Sequence, residues 1–312
     1  MTRFVLRRLA QGSLVLLIMS FVIYGLIGLM PGDPLDLMLA NSPGASPEVV
    51  AHLRAIYGLD QPFPVRYWHW LLAIAHGDLG NSRLHAAPVT QVLWPALGVS
   101  CKLMLSSFAL SVLLAFALGT VAARRPGGWT DSLVSFTSLA GISVPVFWLA
   151  LVLILAFAVG LHWLPASGTG AGWGQWQHYV LPVTTLTLAT TGQFTRYVRA
   201  ALIETLRMDH VRTARAKGAG EGRVTLVHAL RPALIPVITV MALSFGTLFS
   251  GALITETMFS VPGMGKMIYD AIQGNDYNLA LTGLLFAALV TLLSTLAADL
   301  LYAWLDPRVS LR

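Results

Sequence analysis

The chain has 312 residues, of which 56% are hydrophobic and 11% charged, with a formal net charge of +6 and a mean hydropathy of +0.71. Soluble domains run at roughly 45–50% apolar and about 25% charged residues, so this composition excludes an ordinary soluble protein and points to a membrane protein. The basic excess lies beside apolar runs without aromatic interleaving, which argues against a nucleic-acid surface, and the lone Cys101 allows no internal disulfide.

A helix needs about 20 apolar residues to cross ~30 Å of hydrocarbon. The first such run, Leu9 to Met30, follows Arg3, Arg7 and Arg8. It is too long for a secretory signal and lacks a small-residue cleavage site before Pro31, so it reads as an uncleaved first span. The segment from Pro31 to about Gly98 reads as external. Ser46, Pro47 and Glu48 open a helix carrying Val49, Val50, Leu53, Ile56 and Tyr57 before Gly58 ends it. A second amphipathic stretch, Pro64 to Ala75, sets Val65, Trp68, Leu71, Leu72 and Ala75 on one side. These helices suit the membrane interface, and equally a platform for an extracytoplasmic partner.

Leu103 to Ala123 is the second span. Leu133 to Leu161 is a third, with Pro145 predicted to kink it. The glycine-rich stretch at Gly168, Gly170, Gly172 and Gly174 follows no strand and reads as a connector. Val180 to Arg199 is the weakest span, because Thr184, Thr185, Thr187, Thr190 and Thr191 dilute its apolar signal. Ala233 to Leu253 and Leu279 to Trp304 complete six, the last carrying Asp299, which should face the bundle or a partner or lie near one end.

With the N-terminus inside, six spans place 15 of the 20 Lys and Arg residues on the cytoplasmic side, as the positive-inside rule asks. Dropping the threonine-rich span would spoil that asymmetry. Both termini are then cytoplasmic. The parts are residues 1–30, an N-terminal segment with the first span; 31–98, the external segment; and 99–312, a core of five spans interrupted by a cytoplasmic loop at 200–232.

In that loop Asp209 is placed as an N-cap, His210 to Lys217 favours helix, Arg215 and Lys217 suit the last turn, and Gly218 supplies the stop. At 1.5 Å per residue the helix is only about 12 Å long, so it lies outside the bundle. Gly220, Glu221 and Gly222 read as a turn, Val224 to Leu230 as a second helix, and Pro232 as the start of the fifth span. An isolated two-turn helix is marginal in water, so a packing partner explains it better than a solvated loop does.

The run Asp209-His-Val-Arg-Thr-Ala-Arg-Ala-Lys-Gly218, followed by His228-Ala-Leu-Arg231 and Ala233-Leu-Ile-Pro236, resembles the coupling loop of permease subunits of binding-protein-dependent ABC importers, in the dipeptide/oligopeptide/nickel branch. Pro31-Gly-Asp-Pro34, Gly58-Leu-Asp60, Gly77-Asp-Leu-Gly80, Glu256-Thr257 with Phe259, Pro262-Gly263 with Gly265, Asp276-Tyr277 and Asp306-Pro-Arg308 resemble it in order and spacing. The general motif carries a glutamate where this chain has Arg212; only Ala214, Gly218 and Leu230 match it, and Glu204 substitutes for the glutamate in charge alone.

The resemblance implies an all-α, polytopic fold of about six transmembrane helices, the type I ABC importer permease fold, in the bacterial inner membrane. It implies half of a translocation path for di- or oligopeptides, or for nickel, glutathione or another small solute. Its expected partners are a second permease, two cytoplasmic ATP-binding subunits that hold ATP and Mg, an extracytoplasmic substrate-binding protein and membrane lipid, with no nucleic acid. Asp209, Arg212, Ala214, Arg215, Lys217 and Gly218 are the expected ATPase-coupling residues, with Arg212 and Arg215 as a basic edge. Glu256, Phe259, Pro262, Gly263 and Gly265 are candidates for the external gate, Glu256 reading equally as an interfacial carboxylate.

No catalytic constellation competes. Around Gly265-Lys266 the phosphate-loop positions hold Ser260 and Met267, so the chain lacks that ATPase motif. His52, His69, His76, His85, His162 and His178 match no tight metal-ligand spacing. A stand-alone ion-driven transporter is the remaining alternative, which inverted repeats with broken helices would favour.

Overall fold

The computed structural model describes residues 2–29, 60–169 and 175–305. The helix expected between Ser46 and Gly58, most of the glycine-rich connector and the Asp306-Pro-Arg308 motif lie outside the described residues.

Helix α1 (Thr2–Gly28) is followed by α2 (Phe63–Ala75), a two-residue hairpin β1 (Asn81–Ser82) and β2 (Ala87–Pro88), and α3 (Val89–Arg124). The strands are antiparallel, with Asn81 opposite Pro88 and Ser82 opposite Ala87. Next come α4 (Trp129–Ser143), α5 (Val146–Leu153) with a π-helical continuation Ile154–Gly160, and α6 (Gln177–Leu206). The last elements are α7 (Asp209–Ala216), the single turn α8 (Glu221–Arg223) with π-helical turns Val224–Ala229, α9 (Leu230–Met258), α10 (Met264–Gln273) and α11 (Tyr277–Leu305).

Among the described residues α1, α3 and α11 are long and apolar enough to cross a membrane. Two further crossings require a bent pair to count as one span, α4 with α5 and the helical run from Glu221 to Gly246. Helix α6 has 30 residues, enough to cross, but its threonines keep its hydropathy low. Counting it restores the six expected spans.

The expected kink at Pro145 is a full break. Helix α4 stops at Ser143, Val144 is extended (φ −85°, ψ 123°), and α5 leaves at 102° to α4. A residue before proline is driven out of the helical region, and proline has no N–H to continue the ladder.

By compactness the chain divides into two units, Met1–Leu9 with Gly98–Lys266 and Val290–Arg312, and Ala10–Leu97 with Met267–Leu289. In the first, α6 is the central helix, packed on α4, α5 and α9. Its threonines are interior: Thr185, Thr187, Thr191 and Thr195 are all buried. Thr185 donates to Leu181 O at 2.8 Å and Thr191 to Thr187 O at 2.7 Å, while Thr190 shares a 2.6 Å hydrogen bond with Ser111 of α3. Hydroxyls satisfied in this way let a polar helix sit inside a membrane bundle, where small residues also allow backbones to approach closely. A Cβ on Gly192 would collide with the Ser138 carbonyl of α4, and one on Gly119 with Val198 of α6.

Two ion pairs close this unit. The Arg199 guanidinium grips Asp131 with Nε and Nη2, and Asp131 also accepts the Gly127 N–H at 2.8 Å. Asp299 pairs with Arg8 at 3.2 Å, which explains how an acidic residue is held in the last span.

In the second unit α2 packs on α1 through rings. Phe63 meets Phe21 edge-on at 5.4 Å, and Tyr67 meets Phe21 at 5.2 Å and shares a 2.8 Å hydrogen bond with Ser20. The inward side of α2 is therefore Phe63, Tyr67 and Trp70, whereas Val65, Trp68 and Leu72 of the expected stripe stay exposed. Ring stacking on Tyr24 and Phe21 decides which side turns in. Asp276, buried, caps α11 by accepting the Leu279 N–H at 3.2 Å, and accepts Ser82 Oγ at 2.6 Å and the Leu84 N–H at 3.0 Å from the hairpin.

Gly192→Ala should cost about 1–3 kcal/mol through overpacking against the Ser138 backbone. Gly12→Ala, with open space around it, should cost nothing. Thermal unfolding of the purified protein in detergent measures both.

Candidate functional site

The segment after α6 is built around α7. Met208 is extended (φ −71°, ψ 152°) and is the N-cap, so Asp209 is the first helical residue and makes no side-chain cap. The expected N-cap is thus displaced by one position. An acid in the first turn still meets the positive end of the helix dipole. At the other end Lys217 is the C-cap and Gly218 adopts φ +83°, donating its N–H to Arg215 O at 2.9 Å. That left-handed conformation is the one a glycine supplies without strain.

Gly220 is extended and Glu221 already begins the next helix, so no Gly-Glu-Gly turn forms. The helical path runs from α8 through the π turns Val224–Ala229 into α9 at Leu230, which puts Pro232 inside the first turn of α9 instead of at its start. One turn of wider π geometry shifts register and is often found at functional sites.

Val211 is buried in a core cluster with Val224 and Ala229, and Ala214, one turn on, is buried as well. Ala214, expected at the ATPase-coupling surface, faces inward and fastens α7 to its own chain, because helical spacing puts it one turn from Val211. Asp209, Arg212, Arg215, Lys217 and Gly218 are exposed. The basic edge expected from Arg212 and Arg215 is largely neutralised. Arg212 lies 3.5 Å from Asp209, and Arg215 donates to Glu221 through Nε at 2.8 Å and Nη2 at 3.1 Å. Hydrogen bonding to Arg215 holds the Glu221 carboxyl below its ordinary range. The pair's contribution is therefore present above the ordinary glutamate pKa and is lost as pH falls through the lowered value; being exposed, it is also weakened by salt. His210 and the His228 carbonyl close the same turn at 3.1 Å.

The second candidate cluster lies between α9 and α10. Glu256 is fully buried. One carboxylate oxygen accepts the Ser100 hydroxyl, and the other accepts the N–H groups of Gly265 at 2.7 Å and Lys266 at 3.3 Å. Ser100 Oγ in turn accepts the Met264 N–H at 2.8 Å. A Cβ on Gly263 would overlap this carboxylate, and one on Gly265 would overlap Leu253. Phe259 is buried with Val261, Leu181, Ala150 and Leu153, and its carbonyl accepts the Gly168 N–H at 2.9 Å. Pro262 alone of the five gate candidates is exposed. Glu256 is thus a buried acceptor of Ser100 and of backbone N–H groups, exposed neither to an interface nor to an open path.

Sequence reasoning missed Ser100, 156 positions from Glu256, and the partnership of Asp131 with Arg199, 68 positions apart. No local spacing connects them. A buried acid at the head of α4 was the one available signal.

The chain matches a family model described as binding-protein-dependent transport system inner membrane component over residues 115–311 and its N-terminal counterpart over residues 1–112. It belongs to that family. The permease is 36% identical to a dipeptide transport system permease protein of Alkalihalophilus pseudofirmus, over 99% of each chain. It is likewise 36% identical, over 99% of each chain, to a glutathione transport system permease protein of Salmonella typhimurium and to a putative peptide transport system permease protein of Brucella abortus. A crystal structure of an amino acid ABC transporter with histidines shares the fold at TM-score 0.53 and 11% identity, covering 69% of the permease and 94% of that chain. The all-α ABC importer permease fold follows.

Glu256→Gln replaces an all-acceptor group by one that turns N–H groups on N–H or O–H donors. It should destabilise the permease by about 1–3 kcal/mol, the cost of leaving buried partners unsatisfied. Ser100→Ala should cost less. Limited proteolysis between Ser260 and Lys266, together with thermal unfolding, reports both.

Proposed function

We propose that this permease is the half of an ATP-driven importer through which di- and oligopeptides cross the bacterial inner membrane, with α7 docking a cytoplasmic ATPase. The observation that carries this reading is α7 itself. It is a short helix whose apolar side, Val211 and Ala214, is buried, ended by a left-handed glycine, with its remaining face exposed and a helical path from Glu221 into α9.

In this reading the partners are a second permease, two ATP-binding subunits that supply ATP and Mg, and an extracytoplasmic binding protein. Both termini are cytoplasmic. Residues 31–98 form the external segment, and the core of spans carries the coupling loop at 200–232. Closure of the ATPases pushes α7 as a rigid lever. The Arg215–Glu221 pair and the apolar contact of Val211 with Val224 make α7 and the start of α9 move together, so that the bundle exchanges inward-open and outward-open packings that differ by a few kcal/mol. Glu256, Phe259, Pro262, Gly263 and Gly265 form the fastened outer loop that gates the path. Family membership supports this ATP-driven machine over an ion-driven transporter.

The dipeptide relative favours peptide cargo, and the equally similar glutathione relative supports a second reading in which glutathione, itself a small peptide with free carboxylates, is carried. Uptake of labelled dipeptide against labelled glutathione by energised vesicles separates the two.

With Cys101 replaced by Ser, Ala216→Cys on the exposed side of α7 should crosslink to an ATP-binding subunit, whereas a cysteine at the buried Ala214 should not. Crosslinking at neither position, in an importer that retains transport, would sink the docking claim. Arg215→Glu should lower ATP-dependent uptake several-fold, and Arg215→Glu combined with Glu221→Arg should restore it if the pair acts as a brace between α7 and α8.

A further inference from the structure

Helix α6 is packed against its own chain over most of its surface, with Leu188, an exposed apolar residue, on a side of its own. The side left open between Gln193 and Arg207 carries Gln193, Arg196, Tyr197, Ala200, Glu204 and Arg207, all exposed. At 100° per residue these six positions fall within about 100° of one another, and at 1.5 Å per residue they form a stripe about 21 Å long that ends where α7 begins. Gln193 Nε2 donates to the Tyr197 hydroxyl at 3.4 Å along it. Among the described residues no carboxylate is paired with Arg196.

Neighbouring helices of the same unit expose something different. The large outward side chains of α3, α4 and α5 include Leu113, Phe136, Leu139 and Leu151, apolar and suited to lipid, and the exposed hydroxyls of Ser106, Thr137 and Ser143 bond back to their own helices. The twenty residues Val180–Arg199 would fill ~30 Å of hydrocarbon, leaving Gln193 about 9 Å and Arg196 about 5 Å inside its boundary. Arginine there can snorkel, but a glutamine one turn deeper on the same face cannot, and polar residues so placed mark a bundle interior or a water-filled cavity. The Arg196 guanidinium is a fork of donors matched to carboxylates.

We infer that this stripe lines the water-filled path of the transported solute and that Arg196 receives a carboxylate of the passing peptide. The inference rests on the peptide reading above, since every free peptide carries a C-terminal carboxylate. Tyr197 and Gln193 then offer neutral hydrogen-bonding groups beside the charge, and Ala200 leaves room for the chain to pass.

The assembled importer in vesicles, with Cys101→Ser as background, tests this in two ways. Gln193→Cys should react with a charged, membrane-impermeant thiosulfonate admitted to the cytoplasmic side, whereas Leu139→Cys, on the apolar side of α4, should not. Equal resistance of both would put the stripe against lipid or a packed partner helix and overturn the inference. Arg196→Cys should lose about tenfold or more in dipeptide uptake, the worth of a hydrogen bond to a charged group. An aminoethyl adduct should restore uptake and a sulfonatoethyl adduct should not. Normal uptake by Arg196→Cys, or rescue by both adducts, would overturn the carboxylate assignment. Copurification with the ATP-binding subunits checks assembly of that variant, and Arg196→Lys, which keeps the charge and loses the fork, should fall between the unsubstituted importer and Arg196→Cys. Failure of the unsubstituted importer to carry any peptide would count against the cargo reading, and the Gln193 labelling result would still decide whether the stripe is wet.

Discussion

The structure depends on one constraint, that a polar group within hydrocarbon must find its partner inside the protein. Helix α6 meets it in two ways. Over its buried sides the hydroxyls of Thr185 and Thr191 bond back to carbonyls one turn earlier and those of Thr187 and Thr190 reach Ser107 and Ser111 of α3, so the most polar span becomes the one that its neighbours enclose. Thr195 alone among the described threonines of α6 is buried without a partner. Gly119 and Gly192 then bring α3 and α4 close enough to enclose it. Its open side is polar as well, and the same constraint turns that side away from lipid.

Three buried carboxylates perform a common task at the ends of the helices. Asp131 accepts the Gly127 N–H and binds Arg199, Glu256 accepts the N–H groups of Gly265 and Lys266 with Ser100, and Asp276 accepts those of Leu84 and Leu279 with Ser82. Each one takes backbone N–H groups of the adjoining loop or helix start as partners in place of water.

Segment Asp209–Leu230 is tied together at its surface by ion pairs. Its outer face is charged but internally paired, Arg212 with Asp209 and Arg215 with Glu221, so it presents shape and hydrogen-bonding groups more than net positive charge. The π turns that follow lie between α7 and α9.

Sequence by itself determined the membrane class, the long apolar spans α1, α3 and α11, the short helix ended by Gly218, and the family. Each of these depends on composition, run length or a local spacing, which no distant contact needs to supply. The inward side of α2, the break at Pro145, the continuous path from Glu221 into α9, the burial of Ala214 and the interior position of Glu256 were decided only in the tertiary structure. Amphipathic spacing allows two sides to α2 and ring stacking on α1 selects one. A proline interrupts a helix, but the angle of departure depends on what the next helix packs against. A glutamate at the end of a span becomes an interior group only because Ser100 and the loop backbone, brought from elsewhere in the chain, offer its oxygens donors in place of water.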